Sequence, residues 1–279
     1  MLKFLTLCIS GVMLGCIYGL IYKASGLMSF VQGDMLTLGA FLGLTYWLSL
    51  LLTMLCAFAF GMLLEKGVIR RLLNKKVMPI YVVLATIAIS YILQNGSQLI
   101  WDTWTLNFPS VFKASTVKLF GLLAVQPEVI LCLILSMVSM VVLHLFMNKT
   151  KLGTAMRTSS MDSMAAESCS INVSLTTGIT WGVSAMLAAM AGILIGPMYG
   201  VYSSLGANLG NKGFAGAIAG GYGNMYGAIV GGILLGLLEI LVSGYVSSAY
   251  KNLIAYVALL LFLCIKPTGL FNERAIQDV

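Results

Sequence analysis

A few ionisable and amide side chains stand inside long apolar runs, where a polar group is costly and therefore informative. Glu239 lies about midway along one run, and Asp34 begins another run just after Gln32. Gln94 and Asn95 lie late in a third run. Such groups either line a path for a polar solute or make hydrogen bonds that hold neighbouring helices together. The position of Glu239 favours a pathway, and both interpretations stay open for Asp34, Gln94 and Asn95.

The sequence contains no recognisable catalytic or metal-binding pattern. His144 is the single histidine, so a metal site or catalytic triad lacks its second member, and no segment holds paired carboxylates. The stretch from Gly206 to Lys212 lacks the Gly-Lys-Ser/Thr of a phosphate-binding loop. The six cysteines form no CxxC pair, which is typical of buried, inert thiols. We therefore expect no enzyme activity, metal or cofactor in this chain, and expect any ATP to be bound by another chain.

The apolar runs that carry these residues indicate a membrane protein. Apolar residues make up 59% of the 279-residue chain and charged residues 9%, whereas a soluble domain carries about a quarter charged residues. A bilayer core about 30 Å thick is crossed by roughly 20 apolar helical residues. Long apolar runs occupy residues 4–22, 35–64, 78–100, 129–147, 174–199 and 226–250. We predict an all-α polytopic transmembrane helical bundle, a single domain over residues 1–279, with about eight or nine spans.

The positive charges give the expected topology. The formal net charge is +7, and basic clusters at residues 66–76 and 149–157 lie directly beside apolar runs. Such clusters mark cytoplasmic loops, so the charge reflects topology and not nucleic-acid binding. Residues 101–127 are then an extracytoplasmic loop, and residues 206–222 must span the membrane if the C-terminal tail is cytoplasmic.

The segment before the second run does not fit a simple span. Residues 23–34 are too polar for a lipid-facing helix and are expected to form a loop or a re-entrant segment. Residues 35–64 would be about 45 Å long as one helix, which is too long for one span and short for two. The apolar run at 4–22 is interpreted as the first span and not as a cleaved signal peptide.

Glycine spacing predicts close helix packing near the C-terminus. Residues 206–236 hold eleven glycines, several at every fourth position, so that small residues share one helix face. The alternative is a broken helix beside a translocation path. The predicted packing residues are Gly220, Gly223, Gly227, Gly231, Gly232 and Gly236.

Residues 149–173 form a moderately amphipathic segment between two spans. It is either a helix that lies on the membrane surface or a docking helix for a soluble partner. Its residues Leu152-Gly153, Ala155-Met156-Arg157, Asp162, Ala165-Ala166 and Ile171-Asn172 resemble the segment that couples LivH-type permeases of branched-chain amino acid ABC transporters to their ATPase. The resemblance extends along the chain through Tyr22 to Ala40, Leu93-Gln94-Asn95, Gly220 to Gly232, Glu239, Tyr250-Lys251 and Lys266 to Gly269.

The resemblance implies a mechanism and a set of partners. A second permease would complete the pathway, two cytoplasmic ATP-binding subunits would supply ATP and Mg²⁺ chemistry, and an extracytoplasmic binding protein would deliver the substrate. The location would be a bacterial or archaeal plasma membrane. The ATPase-coupling residues would be Gly153, Met156, Arg157, Asp162, Ala165, Ala166 and Ile171, and the pathway candidates Gln32, Asp34, Gln94, Asn95 and Glu239.

Three alternatives remain at this level. A urea or short-amide ABC permease would share the same motifs. A stand-alone secondary transporter would need an ion site, for which Asp34 and Glu239 are the candidates. A membrane enzyme is disfavoured because catalytic residues are missing.

Overall fold

A computed structural model describes residues 30–42, 46–75, 77–101, 104–105, 117–119, 123–125, 127–221 and 225–245, with isolated positions between 250 and 269. The predicted first span at 4–22 lies outside the described residues, as do most of 23–34, most of the 101–127 loop and much of the helix near 250–265. Contacts divide the chain into two compact units. The first unit lies within residues 21–210, and the second unit includes residues 211–279. The single-domain assignment stays a prediction.

The described elements are nearly all helical. In chain order they are α1 (Val31–Leu42), α2 (Tyr46–Leu64), a π-helix (Glu65–Ile69), α3 (Arg70–Asn74), α4 (Pro79–Trp101), β1 (Val117–Leu119), β2 (Leu123–Val125), α5 (Pro127–Lys149), α6 (Lys151–Met161), α7 (Ser163–Ser168), α8 (Val173–Tyr199), α9 (Leu205–Gly220) and α10 (Met225–Tyr245). The two short strands pair antiparallel as a hairpin.

Five helices of the described part are long and apolar enough to cross a membrane. They span Leu50–Asn74, Ile80–Trp101, Ile130–Lys149, Val173–Tyr199 and Gly227–Tyr245. The prediction of a helical multi-pass bundle is confirmed, but the number of spans among the described residues is lower than the predicted eight or nine.

Three sequence-based expectations can be compared with these elements. The 206–222 stretch, expected to span, forms α9 of 16 residues, about 24 Å long and shorter than a bilayer core of about 30 Å. The 35–64 run is shared between α1 and α2 and is not one long helix. Residues 31–34, expected in a loop or re-entrant segment, already belong to α1, with Asp34 in its first turn.

Helix α8 is the centre of the first unit. In the most apolar stretch of α8, 78% of the residues are buried. Helices α1 and α2 pack along α8. Small residues allow this approach: a Cβ added at Gly192 would meet the carbonyl oxygen of Leu36, and one at Gly39 would meet Ala189. Because lipid supplies little hydrophobic force between helices, close packing of this kind is a main source of their association.

The close approach at Gly192 predicts a large effect of a single methyl group. Gly192→Ala should lower the free energy of unfolding by about 1–3 kcal/mol, the usual cost of overpacking, because the Leu36 backbone cannot move aside freely. Gly96→Ala is the matched control, since a Cβ at Gly96 of α4 meets nothing within 4 Å. Thermal melting in detergent should show Gly192→Ala melting below the wild type and Gly96→Ala unchanged or higher. Equal melting of the two variants would contradict the packing.

Candidate functional site

The first buried acid, Asp34, joins α1 to α4. Its side chain is 2% exposed, Ser90 Oγ donates to Asp34 Oδ2, and Gln94 Nε2 donates to Oδ1 at 3.0 Å. Ser90 and Gln94 are four residues apart on α4 and therefore share one helix face. Hydrogen bonds to both carboxylate oxygens stabilise a group that is otherwise costly to bury.

The other pathway candidates of this unit are placed differently. Asn95 is exposed and its Nδ2 donates to the carbonyl oxygen of Tyr91 in its own helix at 2.7 Å. The structure thus separates Asn95 from the Asp34 cluster, because consecutive helical residues point about 100° apart. The side chain of Gln32 lies outside the described residues. Sequence reasoning missed Ser90, although its four-residue spacing from Gln94 places both side chains on one helix face.

A second buried acid, Glu65, lies where α2 continues into the π-helix. Its side chain is 1% exposed. Arg70 holds it bidentately, with Nη2 2.6 Å from Oε2 and Nε 3.2 Å from Oε1. Thr177 Oγ1 of α8 donates to Glu65 Oε1 at 3.1 Å, and Arg70 Nη2 donates to the carbonyl oxygen of Ser174. The network ties the basic end of the second helix to the start of α8.

Local backbone geometry brings Glu65 and Arg70 together. In an α-helix, residues five apart diverge by about 140° around the axis, whereas the wider π-turn bonds residue i to i+5. The Arg70 N–H donates to the Glu65 carbonyl oxygen, so backbone and side-chain bonds join the same two residues. The sequence analysis assigned Arg70 only to a basic cytoplasmic cluster and missed this role.

The predicted coupling segment folds as two short helices joined at Asp162. Thr150 caps α6 by accepting from the Gly153 N–H at 3.0 Å. Asp162 Oδ1 caps α7 by accepting from the N–H groups of Met164 and Ala165 at 2.8 and 3.0 Å. Side-chain caps of this kind satisfy the free N–H groups at a helix start.

The predicted coupling residues divide between core and surface. Gly153, Met156 and Ala166 are buried, Arg157 and Ile171 are partly buried, and Asp162 and Ala165 are exposed. Gly153 lies against the backbone of Met147 at the α5–α6 corner, where a Cβ would clash. The segment also exposes two large apolar side chains that the sequence analysis did not single out, Met161 at 70% and Met164 at 79%.

In the second unit, Glu239 of α10 pairs with Lys212 of α9. Lys212 Nζ lies 2.9 Å from Oε1 and 3.0 Å from Oε2 of Glu239, which is 1% exposed. The sequence analysis considered Lys212 only in a rejected phosphate loop. A pairing signal was nonetheless present, because Lys212 is the single cation between Arg157 and Lys251 and a buried acid requires a partner.

The predicted packing glycines lie along the same pair of helices. A Cβ at Gly220 would meet the Gly227 carbonyl oxygen, and one at Gly231 would meet Gly216 and Gly220. Gly232 touches Gly216, and Gly236 is buried. Gly223 lies outside the described residues. The ion pair is therefore buried beside a contact made by backbone atoms.

The described residues contain no group of three His, Cys, Asp or Glu side chains that could hold a metal ion. The candidate sites are instead hydrogen-bonded acids and ion pairs between long apolar helices. This combination defines a multi-pass membrane protein with polar groups at helix contacts, as transport proteins have.

The sequence pattern of one family, described as the permease component of branched-chain amino acid transport systems, matches residues 1–263. The chain belongs to this family, and the predicted resemblance is confirmed. It is a transport permease component, one part of a system with other transporter subunits. No curated protein and no solved structure matches the chain.

The Lys212–Glu239 pair predicts a specific pattern of stability changes. Lys212→Met alone should lower the free energy of unfolding by about 3–5 kcal/mol, because it leaves a buried carboxylate without its cation. The double variant Lys212→Met/Glu239→Leu removes both charges and should lose less. Thermal melting of the wild type, both single variants and the double variant measures the coupling. Additive losses would show that the two side chains do not stabilise each other.

Proposed function

We propose that the chain is the transmembrane permease subunit of an ATP-driven ABC importer for branched-chain amino acids in a bacterial or archaeal plasma membrane. The observation that carries the proposal is the family match over residues 1–263. The chain binds no cofactor of its own, and two cytoplasmic subunits bind ATP and Mg²⁺. A second permease completes the pathway, and an extracytoplasmic binding protein delivers the amino acid.

The α6–α7 segment is the proposed ATPase dock. Two capped helices, with Met156 and Ala166 buried against the unit, present a fixed surface that includes the exposed Met161 and Met164. Flexible methionine side chains of this kind are common at protein-binding surfaces. Asp162 contributes by holding the start of α7, since its carboxylate is engaged as the cap. Arg157, partly buried on α6, supplies positive charge to the proposed dock.

Transport requires the pathway to open alternately to each side, which packed helices achieve by small rigid-body movements. The glycine contacts in both units suit such movement, because helices that meet through backbone atoms lack long interlocking side chains. Asp34 with Gln94, and Glu239 with Lys212, are the proposed polar groups of the pathway or its support.

The first experiment is to purify the tagged chain from native membranes in mild detergent and identify its partners. Recovery of a second permease and two nucleotide-binding subunits supports the ABC importer. Recovery of the chain alone, with transport in vesicles that contain no ATP, would instead support a secondary transporter with Asp34 or Glu239 at its ion site. Uptake of urea or short amides in place of leucine, isoleucine or valine would change only the proposed substrate and would leave the ABC importer in place.

Charge reversal on α6 tests the dock. Arg157→Glu should reduce ATP-driven uptake by about tenfold or more, because truncating or reversing one partner of an interface charge pair costs at least about 2 kcal/mol. Its amount in the membrane should not change, since Arg157 is partly exposed. Arg157→Lys is the matched control and should keep most uptake. Normal uptake by Arg157→Glu would rule out a role for this residue in docking.

A further inference from the structure

The first unit contains a cavity of about 590 Å³ beside the proposed dock. Its walls come from the π-helix and α3, from the α6–α7 segment, and from the beginning of α8. Ligand pockets have volumes of roughly 300–1,000 Å³, so the space suits a small molecule. None of the four pathway candidates whose side chains the structure describes lines it.

The cavity offers hydrogen-bond donors suited to a carboxylate. Arg70 lines it, and the bonds from Arg70 to Glu65 and Ser174 use its Nε and Nη2 atoms. A guanidinium has five N–H donors, so within the described part of the chain the two on Nη1 remain for a ligand. Arginine binds carboxylates with charge-assisted hydrogen bonds.

The same cavity offers a negative charge for an ammonium group. Glu65 and Arg70 neutralise each other, and the remaining charged side chain of the wall is the exposed Glu167 on α7. The wall therefore has a net charge of −1. The hydroxyl groups of Ser163 and Thr177 lie in the same wall.

The wall also contains apolar side chains. Ile69 and Trp181 are almost fully buried, and Leu73 and Met161 are exposed. Apart from Val173, the other lining residues are polar. A ligand that uses both the charged groups and the apolar side chains carries a carboxylate, an ammonium group and an aliphatic or aromatic side chain.

We propose that this cavity binds a free amino acid with an apolar side chain, its carboxylate at Arg70 and its ammonium group at Glu167. The proposal rests on the proposed function for the cytoplasmic location of the cavity and for the supply of such an amino acid as transported product. A bound amino acid bridges α3 and α7, and so links the end of a membrane span to the proposed ATPase dock.

Equilibrium binding of radiolabelled L-leucine to the purified complex tests the site, without ATP and without the extracytoplasmic binding protein. Glu167→Gln and the charge-neutral pair Glu65→Gln/Arg70→Gln should each weaken binding about tenfold, the usual effect of losing a charged hydrogen bond. Lys66→Gln is the matched control, because Lys66 is exposed on the π-helix and lies outside the cavity wall, and it should bind as the wild type does.

Two analogues test the zwitterion requirement. 3-Methylbutylamine lacks the carboxylate of leucine and 4-methylpentanoate lacks its amino group, so each should compete about tenfold more weakly than leucine. Leucine binding that is unchanged in Glu167→Gln, or analogues that compete as well as leucine, would overturn the proposal. Glu167 is exposed, so its variant is expected to fold even if the double variant does not.

Uptake measured in parallel separates the two hypotheses. If leucine uptake is driven by ATP but leucine binding does not depend on Glu167 or Arg70, the proposed cavity site is rejected and the importer proposal stands. If leucine binding depends on both residues but there is no ATP-driven uptake, the cavity site stands and the importer proposal is rejected.

Discussion

The hydrocarbon interior of a membrane offers no hydrogen-bonding partner besides the protein itself, so each buried acid depends on its neighbours. The three buried acids of the described residues meet this constraint in two ways. Asp34 accepts hydrogen bonds from neutral Ser90 and Gln94. Glu65 and Glu239 each face a cation, Arg70 or Lys212. In each case the partner comes from another helix or another turn, so neutralising the charge also positions the helices.

The same constraint explains why glycine and alanine dominate the helix contacts. With little hydrophobic force between helices in lipid, their association depends on close van der Waals packing and on polar bonds. Helix α8 meets α1 at Gly192 and at Ala189, where backbone atoms touch. At a separate contact, Thr37 Oγ1 of α1 accepts from the N–H of Gly206 in α9 at 2.8 Å, and a Cβ at Gly206 would meet the Gly33 carbonyl oxygen. A polar bond and small residues thus act together at this second contact.

Much of the fold was predictable from hydropathy and charge, because long apolar runs have few alternatives in a membrane. The division of the 35–64 run between α1 and α2 was not predictable from hydropathy, because the residues on both sides of the division are apolar. Individual partners were harder to predict. Gln94 and Asn95 are adjacent in sequence, but only helix rotation decides that Gln94 reaches Asp34. Lys212 was predictable by elimination, whereas the Glu65–Arg70 pair depends on a π-turn that α-helical periodicity does not reveal.

That π-turn sets the rotation of the residues that follow it in the second helix. Glu65–Ile69 holds one more residue per turn than α geometry would. Rewinding it to an α-helix would rotate everything after it by about 100° and carry the Arg70 guanidinium away from the Glu65 carboxylate. The ion pair and the π-turn therefore fix the same rotation of α3 relative to α2, and the direction in which Arg70 faces is set by both.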